Sequence, residues 1–255
     1  MTSDATGSMP IGDYLARGGK LTSPENVPPR YRGELLRLMS SFVDSELAGS
    51  AGFADAINWA PGIRERIAAS RITLEKADHA ERVLDLMEDF GTDKALYNKA
   101  HDWAARVSRD TSVDPKRQGG DMRLSVFHYP LTGWTDAVVM NVLMGLATLF
   151  ALEELSHCSY QPFADVLGDI LPRERRHMEL GLEGLERIAA REDGRAEARD
   201  STAYWMPRVA ETFGPARSAR FERLREMGLR HTDNETMRRA WRAEAESRLG
   251  ALDLG

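Results

Sequence analysis

The sequence predicts an all-α fold, a bundle of four or more long helices. Three observations carry this. Apolar residues recur at helical spacing over several long stretches. No window shows sustained period-two alternation with β-branched residues, the mark of a strand. The stretch from Ala137 to Leu152 is apolar nearly all round, as suits a helix in the middle of a bundle.

The elements follow in order. Residues 1–26 are rich in Gly, Ser, Thr and Pro and read as a flexible arm, and residues 27–255 read as one helical domain. Pro28-Pro29 punctuates the start of the first long helix, from Tyr31 to about Ser50, with Leu35, Leu38, Phe42 and Leu47 at helical spacing. A second helix starts near Pro61, runs to about Phe90 and stops at Gly91. Lys94 to Val107 predicts a third, shorter helix, and Asp110 to Tyr129 a long loop. Pro130 to Ser156 is the most hydrophobic helix. Pro162 to Ala190 is another, which Pro172 should kink or divide. Extra C-terminal helices cover Thr202 to Phe213 and Ala216 to Leu229. Asp233 or Thr232 caps the last one.

Composition narrows the function classes. The 255 residues carry 34 basic and 40 acidic side chains, six His and one Cys. The low mean hydropathy argues against an integral membrane protein, and a mildly acidic chain carries no nucleic-acid footprint. One Cys (Cys158) excludes a disulfide scaffold and any Cys-based zinc or iron–sulfur site. Met1 to Pro10 has neither a basic start nor an apolar run, so a cytoplasmic protein is expected. Any metal ligands must be His and carboxylates.

Two His lie on amphipathic helices with acids one turn away. Glu174-Arg175-Arg176-His177 is an E-x-x-H spacing, which places both side chains on one helix face and within reach of one ion. Di-iron carboxylate bundles use two such motifs and two single carboxylates. Taken alone, the spacing is weak evidence for a metal and fits a solvated ion-pair face better. Around His79 the i−4 position is Glu75, while the i−3 position is Lys76. Glu46 shares the face of Met39 and Phe42 and should point partly inward, where an acid needs a partner or a metal.

Further segments carry a resemblance. They are Val27-Pro28-Pro29-Arg30-Tyr31-Arg32, Asp44-Ser45-Glu46-Leu47-Ala48-Gly49, Phe127-His128-Tyr129-Pro130 with Trp134 and Asp136, and Ser159-Tyr160 with Pro162, Phe163 and Ala164. The E-x-x-H segment with Gly181 follows, then Trp205, Pro207 and Phe213-Gly214-Pro215. Together they resemble the catalytic A-type chains of ring-1,2-phenylacetyl-CoA epoxidases, in the phenylacetic-acid catabolic branch of the ferritin-like superfamily. The resemblance runs from about residue 27 to the C-terminus. It implies a ferritin-like bundle and, in active members, a di-iron monooxygenase centre that epoxidises an aromatic CoA thioester. It also implies a separate reductase and a related partner without a competent metal site. Those catalytic chains continue with a further C-terminal segment, so CoA-ester binding and assembly are expected to differ here.

Carried over by position, the resemblance makes Glu46, His79, Glu174 and His177 the metal-capable residues. Lys76 falls where a Glu ligand is implied, and Gly145 where the third core helix would give a carboxylate. Lys for Glu changes the local charge by two units and competes with a cation. Asn141, Met144 and Leu149, within a turn or so of Gly145, are poor iron ligands, and Glu153 and Glu154 lie about 12 Å further along the helix. A normal di-iron centre would need Glu75 to turn inward through a helical bulge. One iron held by Glu46, His79, Glu174 and His177 is the next state. A metal-free core in which Lys76 neutralises the acids is the leading one.

Three functions fit. The first is an oxygenase-like oxidoreductase with an altered centre, acting on a small aromatic or acyl-thioester substrate, with Lys76, Glu46 and Glu174 as its catalytic candidates. The second is a non-catalytic partner chain within a larger enzyme. The third is a repurposed acid/base enzyme in which burial lowers the pKa of Lys76. A homodimer or hetero-oligomer is expected in each. His128-Tyr129-Pro130 reads most simply as a loop-to-helix junction, with a pocket lining as its alternative, Tyr160 and Cys158 as packing residues, and the five Trp as core or interface anchors. The Arg run from Arg217 to Arg230 reads as a solvated face, with phosphate contacts as its alternative.

Overall fold

The computed structural model describes residues 10–113 and 119–254, so the first part of the expected flexible arm lies outside the described residues. Among the described residues the regular structure is helical, with one isolated bridge between Leu21 and Tyr160. The α-helices are α1 (Ile11–Ala16), α2 (Pro29–Trp59), α3 (Ile63–Glu88), α4 (Lys94–Tyr97), α5 (Trp134–Leu155), α6 (Gln161–Ala189), α7 (Glu192–Glu211), α8 (Ala219–Glu226) and α9 (Asn234–Gly250). Long helices α2 and α3 pack as one pair and α5 and α6 as another, with α3 also against α6. This is a ferritin-like bundle, with α7 and α9 packed against α5 and α7 also against α6.

The helix ends follow local chemistry. Pro29 occupies the first turn of α2, where a missing N–H costs nothing. At its other end Ala60 adopts φ −58° and ψ 127°, the extended conformation that Pro61 imposes on its predecessor. Gly91 takes φ +91° just past α3, as a left-handed stop requires. Asp233 caps α9, its carboxylate accepting from Thr236 N–H at 2.9 Å.

Five expectations are corrected. Lys94 to Val107 does not continue as a helix beyond one turn. Side chains satisfy its backbone instead: Trp103 Nε1 donates to the Asn98 carbonyl at 2.9 Å, and Asp102 accepts from Ala104 N–H at 3.0 Å in an Asx-type turn. Pro172 neither ends nor divides α6. Both Pro172 and Gly168, whose carbonyl loses its partner, are exposed, so the missing donor does not leave a buried polar group. The helix after Pro130 begins only at Trp134, and α8 is shorter than Ala216 to Leu229. Finally, α7 starts ten residues before Thr202. Gly194 makes that start possible, because a Cβ there would sit 2.4 Å from the Ile188 carbonyl oxygen.

Helix α5 is the axis of the core. Its most apolar window has the length and composition of a membrane span, but 83% of that window is buried inside the protein. Leu143, Val139 and Val142 are fully buried, each contributing about 1.5–3 kcal/mol by leaving water. Trp241 from α9 closes over it and donates Nε1–H to the Leu143 carbonyl at 3.0 Å. The arm is described from residue 10 onward. There Leu21 is buried and exchanges backbone hydrogen bonds with Ser159 and Gln161.

Candidate functional site

The bundle brings Glu46 of α2, Lys76 and His79 of α3, and Glu174 and His177 of α6 together, all buried. Helical spacing explains the convergence. Lys76 and His79 lie three residues apart on one face, as do Glu174 and His177, and both faces meet α2 at Glu46.

An ammonium stands at the centre. Lys76 Nζ is 3.1 Å from Glu46 Oε1, 3.1 Å from Glu174 Oε1 and 3.3 Å from Glu174 Oε2. Its three N–H donors are thereby used on three carboxylate oxygens. His79 Nδ1 lies 3.0 Å from Glu174 Oε1 and 3.3 Å from Glu46 Oε2, and two carboxylate neighbours require that nitrogen to donate. Its Nε2 is buried without a partner among the described residues. His177 Nδ1 meets Glu174 Oε1 at 3.2 Å, and its ring stacks on that of His79 with centroids 5.7 Å apart.

The electrostatics lock this arrangement. Burial opposes ionisation of Glu174, but the Lys76 charge and hydrogen bonds from His177 and His79 outweigh it and hold its carboxyl well below the usual range. Burial likewise opposes the Lys76 charge, yet Glu174 and Glu46 raise its pKa above the ordinary lysine value. For His79 burial again acts first, and the bonds to Glu174 and Glu46 turn the net shift upward. The lowered Lys76 pKa expected of a base or nucleophile is therefore corrected: two carboxylates at contact distance outweigh the desolvation.

Two of the implied ligand positions are closed for specific reasons. Gly145 stands where α5 and α6 approach closely, and a Cβ there would lie 3.0 Å from Met178 Cβ. Close packing therefore occupies the space a carboxylate would need. On α2, Gly49 makes room for the lysine stem, since a Cβ there would meet Lys76 Cδ at 3.2 Å. Glu75 reaches the site from the rim without any bulge in α3 and meets the outer nitrogen of His177, Nε2, at 2.6 Å.

Ligand atoms of Glu46, His79 and Glu174 lie within 4.8 Å of one another, the group that a single ion would use, and His177 joins through Glu174. A protonated amine has no lone pair to give a metal. With Lys76 at one implied position and Gly145 at another, these residues do not fit a two-metal centre.

Sequence reasoning missed two features. Asn141, set aside as a poor ligand, donates Nδ2–H to the His177 carbonyl at 2.9 Å and fixes the turn of α6 that carries the site. A cavity of about 300 Å³ opens beside Glu46, between α2, α5 and α8, and one-dimensional periodicity carries no signal for it. The packing readings of Tyr160 and Cys158 agree with their burial, which pushes the Cys158 thiol up to about 11.

Comparisons with known proteins agree with this architecture. A family model described as phenylacetic acid catabolic protein matches residues 15–255. The A-type chain of the 1,2-phenylacetyl-CoA epoxidase of Escherichia coli (strain K12) is 23% identical over 192 residues, 74% of this chain and 57% of that protein. The chain thus spans little more than half of that relative's length. With a helical bundle and a family match over nearly its whole length, the chain belongs to the phenylacetic acid catabolic protein family.

Proposed function

We propose that this chain is an oxygenase-family protein of phenylacetic acid catabolism whose centre is held by an ion pair in place of iron. In this reading it serves as the non-oxidising member of a multi-subunit assembly of the epoxidase type. The observation that carries it is Lys76 Nζ, 3.1 Å from both Glu46 and Glu174. Lys76, Glu46 and Glu174 then form a structural ion-paired core rather than a catalytic set. A stripe on α3 supports assembly. Ile63, Ile67 and Leu74 are 74%, 56% and 70% exposed at helical spacing, an apolar surface of the kind partners cover. The similar Escherichia coli protein is itself named as one subunit of its enzyme.

Metal analysis after expression in iron-supplemented medium tests the reading. Wild-type protein is expected to carry less than a tenth of an iron per chain. One or two irons per chain would overturn it. The second reading, a one-iron centre on Glu46, His79, Glu174 and His177, rests on the three clustered ligand atoms. It requires the Lys76 ammonium to leave, and one iron per chain would favour it.

A further inference from the structure

The cavity of about 300 Å³ beside Glu46 has mostly apolar walls, among them Phe42, Met144 and Ala151. Its charged lining residues are Glu46, Glu154, Arg220 and Arg230. Three of the four are matched. Glu46 is bound by Lys76 and His79. Glu154 accepts from Arg230 Nε at 3.2 Å and from the backbone N–H groups of His231 and Thr232.

Arg220 is the exception. Its Nε donates to Glu34 at 3.1 Å, but Arg223 also approaches Glu34, at 3.6 Å, so two cations share one carboxylate. Arg220 Nη2 is buried with no acceptor among the described residues. A buried guanidinium N–H without an acceptor is costly, and its planar donors suit a carboxylate. Arg220 is among the residues that line the cavity, its side chain 35% exposed overall, and an apolar cavity with one cationic residue in its wall is a usual form of small-ligand site.

We propose that this cavity binds a free amphipathic monocarboxylate, with its carboxylate on Arg220 and its apolar body lying toward Phe42 and Met144. One negative charge neutralises the Arg220, Arg223 and Glu34 group, whereas a phosphate dianion would leave an excess. The binding does not depend on what the Glu46 centre holds, so it stands or falls separately from the metal-free reading.

The test is calorimetric titration of the full chain with octanoate, backed by the carbon-13 signal of carboxyl-labelled octanoate. Saturable binding of one octanoate per chain is expected. Octan-1-ol, which lacks the charge, should bind at least tenfold more weakly. Arg220→Met should weaken octanoate at least tenfold, Arg220→Lys less, and Ala151→Trp should abolish binding by filling the cavity. Circular dichroism and melting of each variant show whether it is folded. If Arg220→Met does not fold, the octanol comparison and Ala151→Trp still decide. Absence of saturable octanoate binding, equal affinity for octan-1-ol, or unchanged binding in folded Arg220→Met would overturn the proposal. So would displacement of octanoate by inorganic phosphate at lower concentration, which would make Arg220 a phosphate site.

Discussion

Lys76 spans both carboxylate oxygens of Glu174, at 3.1 and 3.3 Å, across the gap between α3 and α6. The two residues are 98 positions apart in sequence, and both are buried. Removing one partner of such a pair leaves the other charged and dry, which costs about 3–5 kcal/mol. Lys76→Met should therefore lower the unfolding free energy read from urea titration by an amount of that order. It also frees Glu46, His79 and Glu174 for a cation, so millimolar Mn²⁺ should raise the melting temperature of Lys76→Met and leave wild type unchanged. A wild-type shift of equal size would mean that the ammonium does not guard the site.

The same pair sets an acid dependence. Glu174 ionises at lower pH in the folded protein than its ordinary value of 4.5. A depressed carboxyl stabilises the fold above the unfolded pKa and loses that contribution as pH falls through the folded one. The stability difference between wild type and Glu174→Gln should be full at pH 7 and shrink progressively below about pH 4.5. Urea titrations at pH 7, 5 and 3 read it directly. A difference that stays constant across this range would contradict the ion pair.

The close approach at Gly145 gives a third expectation. A methyl there meets Met178 Cβ at 3.0 Å, and the Met178 backbone lies just behind at 3.4 Å, so nothing flexible yields. Gly145→Ala should cost about 1–3 kcal/mol, the range of overpacked cores, despite its gain in helix propensity. Gly145→Asp, which would restore an acid, should cost more. Thermal melts of the two variants test the order, and a stabilised Gly145→Ala would show that α5 and α6 part without penalty.

The long helices were legible because a buried stripe at 3.6-residue period is a local property of the chain, as along α2 and α6. The ends of α4 and α7 were not. Asp102, Trp103 and Arg106 satisfy the backbone after α4 by side-chain bonds that periodicity does not register. The charged stretch at residues 191–201 is helical because Gly194 and Ala198 pack against the core. The centre was legible for a mixed reason. Glu174 and His177 announce themselves by spacing, whereas the pairing of Lys76 with Glu46 needed the family resemblance to align two helices. Arg220 was hidden, since a run of arginines looks solvated until its tertiary surroundings single out one buried donor.

Asp136 provides the last expectation. Its two oxygens accept from Trp205 Nε1 at 2.8 Å, Ser201 Oγ at 3.0 Å, Thr132 N–H at 3.1 Å and both terminal nitrogens of Arg109. This one buried carboxylate ties the start of α5 to α7, and Arg109 in turn lies 3.5 Å over the Tyr204 ring. Loss of the hub and loss of the arginine should differ. Asp136→Ala strands the guanidinium and the buried indole N–H together, so about 3–5 kcal/mol is expected. Arg109→Ala leaves Asp136 three donors, and Arg109 is itself partly exposed, so its cost should be clearly smaller. Urea unfolding followed by tryptophan fluorescence measures both, with Asp136→Ala alone moving the folded-state emission of Trp205. Equal losses would mean that the Arg109 pair, not the Trp205 and Ser201 bonds, holds α7 in place.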